Sequence, residues 1–280
     1  MTLDTSYLHT LITAALSEDA ADNDITGAAT IPAGQTGHAV ITAKAAGVLS
    51  GVKAASMVFE AVDAGIVQQW QRADGNALKA GEPVCELTGD MRALLAAERT
   101  ALNFLQHLSG IASLTRQFVE AVADTGCAIV DTRKTAPGLR ALEKQAVLHG
   151  GGVNHRMDLA SGMLIKENHI EAAGSITKAV AACRAQAGCA WIEVECENLE
   201  EVAEAVVARP DIILLDNMSV EEVGRARALV SGNTILEASG GITLDTARTY
   251  AGTGADRLAV GEITHSAPAL DLSMRLVKAA

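Results

Sequence analysis

The chain has 280 residues, a formal net charge of −12, 49% hydrophobic residues and only 2% aromatic ones. That length supplies one large or two ordinary domains, with a core that must be filled by Ala, Val, Leu and Ile. The acidic balance argues against a nucleic-acid partner, which demands broad phosphate neutralisation, yet a local cationic pocket can still take a small anion.

A first helix is predicted where Leu8, Leu11, Ile12, Ala15 and Leu16 share one face at 3.6-residue spacing. The turn-rich SEDAADNDITG ends it. From Ile31 to about Leu87 short β-like runs follow, HAVITAKA and PVCEL among them, broken by Gly-containing turns. A helical stretch begins near Met91 and carries Leu94, Leu95, Leu102, Leu105 and Leu108. Ser109-Gly110 is expected to interrupt it before a second helix runs to about Asp124. Residues 1–108 therefore read as one mixed α/β domain, with 270–280 a candidate to rejoin it and 109–269 as the second domain.

The second part is more regular. Apolar runs recur as CAIVD, GMLIK, WIEVE, DIILLD, TILEAS and DRLAVG, with helical segments between most of them. Strands alternating with helices imply a parallel sheet. The runs end in Asp131, Lys166, Glu195, Asp216, Glu237 with Ser239, and Gly261. In a β/α barrel such residues converge at the C-terminal mouth, whereas an open doubly wound sheet concentrates its chemistry at one crevice. The barrel is favoured, and six runs instead of eight predict an irregular one. The whole chain thus reads as α/β, a mixed N-terminal domain followed by an irregular TIM-like barrel.

No apolar run reaches the roughly 18 residues of a membrane helix. MTLDTSYLHT lacks a basic region leading into an apolar stretch, so no signal peptide is read and a cytoplasmic location is expected. Cys85, Cys127, Cys183, Cys189 and Cys196 form no CxxC pair and no metal-ligand spacing, which fits free thiols in a reducing compartment. No GxxxxGK[ST] or GxGxxG occurs, so triphosphate and dinucleotide sites lack support.

The densest chemistry lies between Asp131 and His169, in DTRKTAPGLRALEKQAVLHGGGVNHRMDLASGMLIKENH. Arg133, Lys134, Arg140, Lys144, His149, His155, Arg156, Lys166 and His169 make it cationic within an acidic chain. A solvated basic loop is the usual fate of such clusters. Here Arg133, Lys134 and Lys166 sit at or just after strand ends, which favours a site.

DTRKTAPGLR, EK, GGGVNHRMDL and IKENH resemble the signature region of quinolinate phosphoribosyltransferases. ERTALNFLQHLSGIAS upstream and EVECEN, ILLDNMS, LEASGGI and VGEITHS downstream extend the likeness, in order, over most of the chain. The resemblance implies an N-terminal open α/β sandwich, a C-terminal irregular barrel, and a homodimer in which Arg99 reaches the partner's active site. It implies transfer of a phosphoribosyl group from phosphoribosyl pyrophosphate to quinolinate, giving nicotinate mononucleotide, pyrophosphate and carbon dioxide on the route to NAD. Thr132, Arg133, His155, Arg156 and Lys166 match quinolinate-binding positions, and bidentate Arg suits adjacent carboxylates. Lys134, Lys166, Glu195 and Asp216 match the catalytic positions. Glu195 and Asp216 match the acidic pair at the ribose, with Mg2+ held directly or through water. Glu193 shares the facing of Glu195 and is separated from it only by position in the strand. Phosphate is expected at Ser239, Gly240, Gly241 and Gly261, with Lys134 contacting either substrate.

Three other readings compete. A nicotinate-type transferase does not need so dense a clamp for two carboxylates, and the basic residues exceed what a generic sugar-phosphate barrel requires. A binding protein related to molybdenum transport is disfavoured by intact GGGVNHR and DTRKT. Asn23 and Gln145 depart from the family's pattern and predict altered packing, not altered chemistry.

Overall fold

The computed structural model describes residues 4–186, 188 and 191–277; Cys189 and the last three residues of the C-terminal segment lie outside the described residues. The chain begins with α1 (Thr5–Glu18), a 3-10 turn at Ala21–Asn23, α2 (Ile25–Thr30), β1 (Thr36–Ala43) and β2 (Gly47–Val48). It continues through α3 (Val52–Val62), β3 (Val67–Trp70), β4 (Ala77–Leu78), β5 (Pro83–Asp90) and the long α4 (Met91–Ala121). Next come β6 (Ala128–Val130), α5 (Arg140–Gly150), β7 (Met163–Ile165), α6 (Glu167–Ala173), α7 (Ile176–Arg184) and β8 (Ile192–Cys196). The last elements are α8 (Leu199–Ala208), β9 (Ile212–Asp216), α9 (Val220–Leu229), β10 (Ile235–Ser239), α10 (Leu244–Ala251), β11 (Arg257–Ala259), α11 (Glu262–His265) and β12 (Leu272–Val277).

Two compact units result. The first takes residues up to 116 together with 136–151 and those from 267 onward; the second takes 117–135 and 152–266. The expected boundary near residue 108 falls inside α4.

The first unit is built on an antiparallel sheet in the order β12-β1-β5-β3. In β1, alternate residues Ala39, Ile41 and Ala43 are fully buried, as a half-buried strand requires. β12 pairs along β1 from His38↔Val277 to Ala43↔Leu272, so the C-terminal segment completes this sheet. Helix α3 lay hidden among the β-like runs. Its buried residues Ala54, Ala55, Val58 and Phe59 follow helical spacing, and the Asp74 carboxylate accepts from the Val52 N–H at 3.0 Å.

Ser109-Gly110 does not interrupt α4, contrary to expectation. Ser109 Oγ accepts from the Ser50 N–H at 2.9 Å and donates to its carbonyl at 3.1 Å. A Cβ on Gly110 would lie 2.2 Å from the Pro268 carbonyl oxygen. The pair marks close packing, and the helix runs through it.

Segment 136–151 belongs to the first unit because α5 buries charge there. Glu143 is fully buried and accepts from His107 Nε2 at 2.8 Å and from the Ala136 N–H at 3.2 Å. His149 Nδ1 lies 2.8 Å from Ser50 Oγ. Arg140, Lys144 and His149 therefore part from the other cations of their stretch and pack in the first unit.

All six apolar runs of the second unit form strands, parallel throughout, in the order β6-β11-β10-β9-β8-β7. The last strand, β11, pairs back onto the first, β6, and Val153 makes a parallel bridge to Val130 on β6's other side. Chain order around the wall is thus continuous, except that no ladder joins Val153 to β7 among the described residues. This is the irregularity of the barrel, and residues 154–162 run through it. Burial pushes the thiols of Cys85, Cys127 and Cys196 up to about 12, which keeps them inert at neutral pH. No helix among the described residues is long and apolar enough to cross a membrane.

Candidate active site

The strand ends of the second unit surround a cavity of about 310 Å³. Asp131, Thr132, Arg133 and Lys134 line it from the end of β6, and His155 and Arg156 from the gap in the wall. Lys166 follows β7, Glu195 belongs to β8, Asp216 to β9, and Glu237 with Ser239 to β10. Leu164, Leu214 and Ala259 fill the apolar part of the lining.

Two charged neighbourhoods divide it. Arg133 and Arg156 stand near enough to repel, and burial, reinforced by that repulsion, presses the Arg156 guanidinium down from its usual value. Glu193 and Asp158 oppose the shift. Arg156 also donates through one terminal nitrogen to the Gly162 carbonyl at 3.0 Å, which fixes the direction of its fork. Close like charges at a cavity wall are costly until an anion enters between them. In the other neighbourhood Lys166 forms an ion pair with Glu195. Burial raises the Glu195 carboxyl, Lys166 lowers it, and the charges of Asp216 and Glu167 raise it again. Glu195 and Asp216 are therefore within electrostatic reach of each other.

The loops that carry Gly240, Gly241 and Gly261 follow β10 and β11. Gly240 and Gly241 both have positive φ, 95° and 61°. A Cβ on Gly240 would sit 2.1 Å from Asn217 Oδ1 and 2.9 Å from the Asn217 nitrogen, so glycine is required for this turn. Gly261 opens α11, and a Cβ on it would lie 3.2 Å from the His265 ring and 3.3 Å from Lys134 Cδ. Thr264 Oγ1 donates to the Lys134 carbonyl at 2.8 Å, tying the loop after β6 to that after β11.

Of the residues singled out in the sequence, Thr132, Arg133, Lys134, His155, Arg156, Lys166, Glu195, Asp216 and Ser239 share this cavity. Gly240 and Gly241 directly follow Ser239 and Gly261 opens α11, but none of the three is among the lining residues. Arg99 is exposed on α4 and is not among the lining residues. The Glu193–Glu195 ambiguity resolves by depth: Glu195 lines the cavity, while Glu193 is fully buried and accepts from His155 Nε2 at 2.8 Å.

Gly162 and Trp191 escaped the sequence reading, because neither carries charge. The Trp191 ring stands edge-on to His155 with centroids 5.4 Å apart. A Cβ on Gly162 would meet the same indole at 2.4 to 2.8 Å. Gly162→Ala is expected to push Trp191 against His155 and shift the carbonyl that holds Arg156, at a stability cost of about 1–3 kcal/mol. Thermal unfolding with parallel kinetics checks this; a variant with unchanged Tm and unchanged affinity for the anionic substrate would contradict it.

Residues 24–109 match the N-terminal domain of quinolinate phosphoribosyl transferase and residues 111–275 its C-terminal domain. A nicotinate-nucleotide pyrophosphorylase (carboxylating) of Mycobacterium leprae is 44% identical over 258 residues, covering 90% of this chain and 91% of that protein. A quinolinate phosphoribosyltransferase (decarboxylating) of Nicotiana glauca is 38% identical, over 95% of this chain and 81% of that one. The crystal structure of NadC from Streptococcus pyogenes superposes with a TM-score of 0.94 at 43% identity, covering 99% of both chains.

Proposed function

The chain belongs to the quinolinate phosphoribosyltransferase family, and from that premise we propose the following division of labour in its cavity. The enzyme transfers the phosphoribosyl group of phosphoribosyl pyrophosphate to quinolinate, releasing pyrophosphate and carbon dioxide and leaving nicotinate mononucleotide for NAD synthesis. The observation that supports the assignment of residues is the pairing, in one cavity, of a mutually repelling Arg133–Arg156 wall with the carboxylates of Glu195 and Asp216.

Quinolinate carries two adjacent carboxylates, and Arg133, Arg156 and His155, with Thr132 and Lys166 beside them, hold these and aim the ring nitrogen. The nitrogen lone pair forms a bond to C1 of the ribose as the C1–oxygen bond to pyrophosphate breaks. Positive charge grows on the ribose as that bond lengthens, and the fixed carboxylates of Glu195 and Asp216 oppose it. Lys134, Ser239 and the N–H groups around Gly240, Gly241 and Gly261 hold the phosphates. The ring nitrogen, now cationic, stabilises the carbanion left when the 2-carboxylate departs as carbon dioxide. A proton then fills C2. The protein's contribution is positioning, charge and exclusion of competing water.

Mg2+ fits this donor set. Glu195 and Asp216 are hard oxygen ligands on adjacent strands, too few to enclose the ion, which leaves room for water and pyrophosphate oxygens. When bound, Mg2+ supplies charge neutralisation for the leaving pyrophosphate. Arg99, exposed on α4 within ERTALNF, is assigned to the cavity of a second copy in a homodimer. The reducing cytoplasm suits the three inert buried thiols.

The clamp is tested by calorimetric titration with quinolinate and with nicotinate, which lacks the second carboxylate. Quinolinate is expected to bind at least about tenfold more tightly, the worth of one charge-assisted hydrogen bond. Equal affinities would remove the basis for placing both carboxylates on Arg133 and Arg156.

A further inference from the structure

Of the four non-glycine residues with positive φ among those described, Ala20, Asp124 and Arg209 sit at or just beyond helix ends, where a left-handed residue closes the turn. Asn217, with a φ of 54°, instead follows strand β9, directly after Asp216. Left-handed backbone costs a non-glycine residue free energy unless its surroundings hold it there. Its neighbours do. The Asn217 N–H donates to the Ser239 carbonyl at 2.9 Å, one step beyond the Asp216–Ser239 pairing of β9 with β10. Met218, next in the chain, is buried, and its carbonyl accepts from the Tyr250 hydroxyl at 3.1 Å. The Asn217 carboxamide turns back, and its Nδ2 donates to Asp216 Oδ2 at 2.8 Å.

That carboxamide has little freedom to lie elsewhere. Its Oδ1 occupies the space a Cβ on Gly240 would need, so the bare α-carbon of that turn seats the amide with its donor end toward Asp216. The last torsion of an aspartate is broad, and a half-buried carboxylate at a strand end takes its direction from its partners. A hydrogen bond to a charged acceptor is also about twice as strong as a neutral one. Asn is among the residues that adopt the left-handed turn most readily, so a turn alone accounts for the residue type. A turn alone does not need the contact with Asp216. Asn217 is exposed, and removing its side chain opens no gap in the core.

We propose that Asn217 is a positioning residue: seated against Gly240, it fixes the direction in which Asp216 presents its carboxylate to the ribose. This rests on the assignment of Asp216 to the ribose and its Mg2+.

Asn217→Gly is the informative variant, because glycine takes the left-handed turn at no steric cost while the carboxamide is lost. Its Tm is expected to stay within about 4 °C of the wild type. Its kcat should fall about tenfold or more, the worth of one charge-assisted hydrogen bond. The KM for quinolinate should stay within about twofold, since Arg133 and Arg156 are untouched. Asn217→Asp keeps the shape and the tolerance of the turn but sets an acceptor against a carboxylate, and should lose at least as much. Calorimetric binding of phosphoribosyl pyrophosphate with Mg2+, measured without quinolinate, should weaken at least about threefold in Asn217→Gly. A double-mutant cycle then shows whether Asn217 acts through Asp216. In the Asp216→Asn background, Asn217→Gly should change kcat and that affinity by less than about twofold.

Wild-type kcat in Asn217→Gly or in Asn217→Asp would reduce the residue to a turn former and overturn the proposal. Additive losses in the cycle would overturn it too, as would equal losses for both substrates, the mark of a structural role. The calorimetric cycle needs no turnover. A non-additive cycle in a protein that forms no product from quinolinate would overturn the functional reading and leave the role of Asn217 standing.

Discussion

Arg133→Ala or Arg156→Ala is expected to lower kcat/KM for quinolinate by about 30- to 3000-fold, which corresponds to about 2–5 kcal/mol of lost charge pairing. The size follows from the setting. Both guanidinium groups face the same cavity, and burial with mutual repulsion already strains the charge on Arg156. An entering dicarboxylate relieves that repulsion and supplies paired acceptors, so truncating either arginine loses attraction and leaves a carboxylate unmatched. Lysine is a poor substitute at either place, because a point charge cannot reproduce a planar two-pronged donor. Arg133→Lys and Arg156→Lys should recover only part of the loss. Initial rates with varied quinolinate at saturating phosphoribosyl pyrophosphate measure the effect. Undiminished activity in either alanine variant would remove that residue from the site.

Glu195→Ala and Asp216→Ala should act differently, lowering kcat by about 10²- to 10³-fold with little change in quinolinate KM. These carboxylates end adjacent strands, and one is already engaged by Lys166. Their charge matters most when the ribose becomes positive, a condition reached only in the transition state. Glu195→Gln and Asp216→Asn test the same point with shape preserved and are expected to lose nearly as much. A Mg2+ titration of each variant separates the two contributions. A rate restored by excess Mg2+ assigns the loss to ion binding; a loss that persists at saturation assigns it to charge on the ribose. Wild-type kcat in both amide variants would contradict the role of the pair.

Much of this was legible before the fold. The second unit's strands were readable because each is a short apolar run, and in all but the last, which closes in Gly261, a polar closing residue is delivered to the cavity. Lys166, Glu195 and Asp216 were found this way. Helix α3 was not, since its apolar pattern lies between strand-like runs and its starting glycine reads equally well as a turn. Ser109-Gly110 misled for a related reason: small polar residues mark helix ends, but here they admit Ser50 and Pro268 at close range. The cationic stretch was overread as one cluster because periodicity says nothing about which unit a helix joins. α5 carries Arg140, Lys144 and His149 into the first unit, where Glu143 is buried. The layer behind His155 was out of reach altogether. Strand alternation put Glu193 and Glu195 on one face, and only three-dimensional depth gives one to the cavity and the other to histidine.

The most direct test is a product assay with purified protein, Mg2+ and phosphoribosyl pyrophosphate, offering quinolinate or nicotinate and following nucleotide and carbon dioxide together. Nicotinate mononucleotide and carbon dioxide in equal amounts, formed from quinolinate and not from nicotinate, is the predicted result. Absence of turnover with quinolinate, or equal nucleotide formation from nicotinate, would contradict the account.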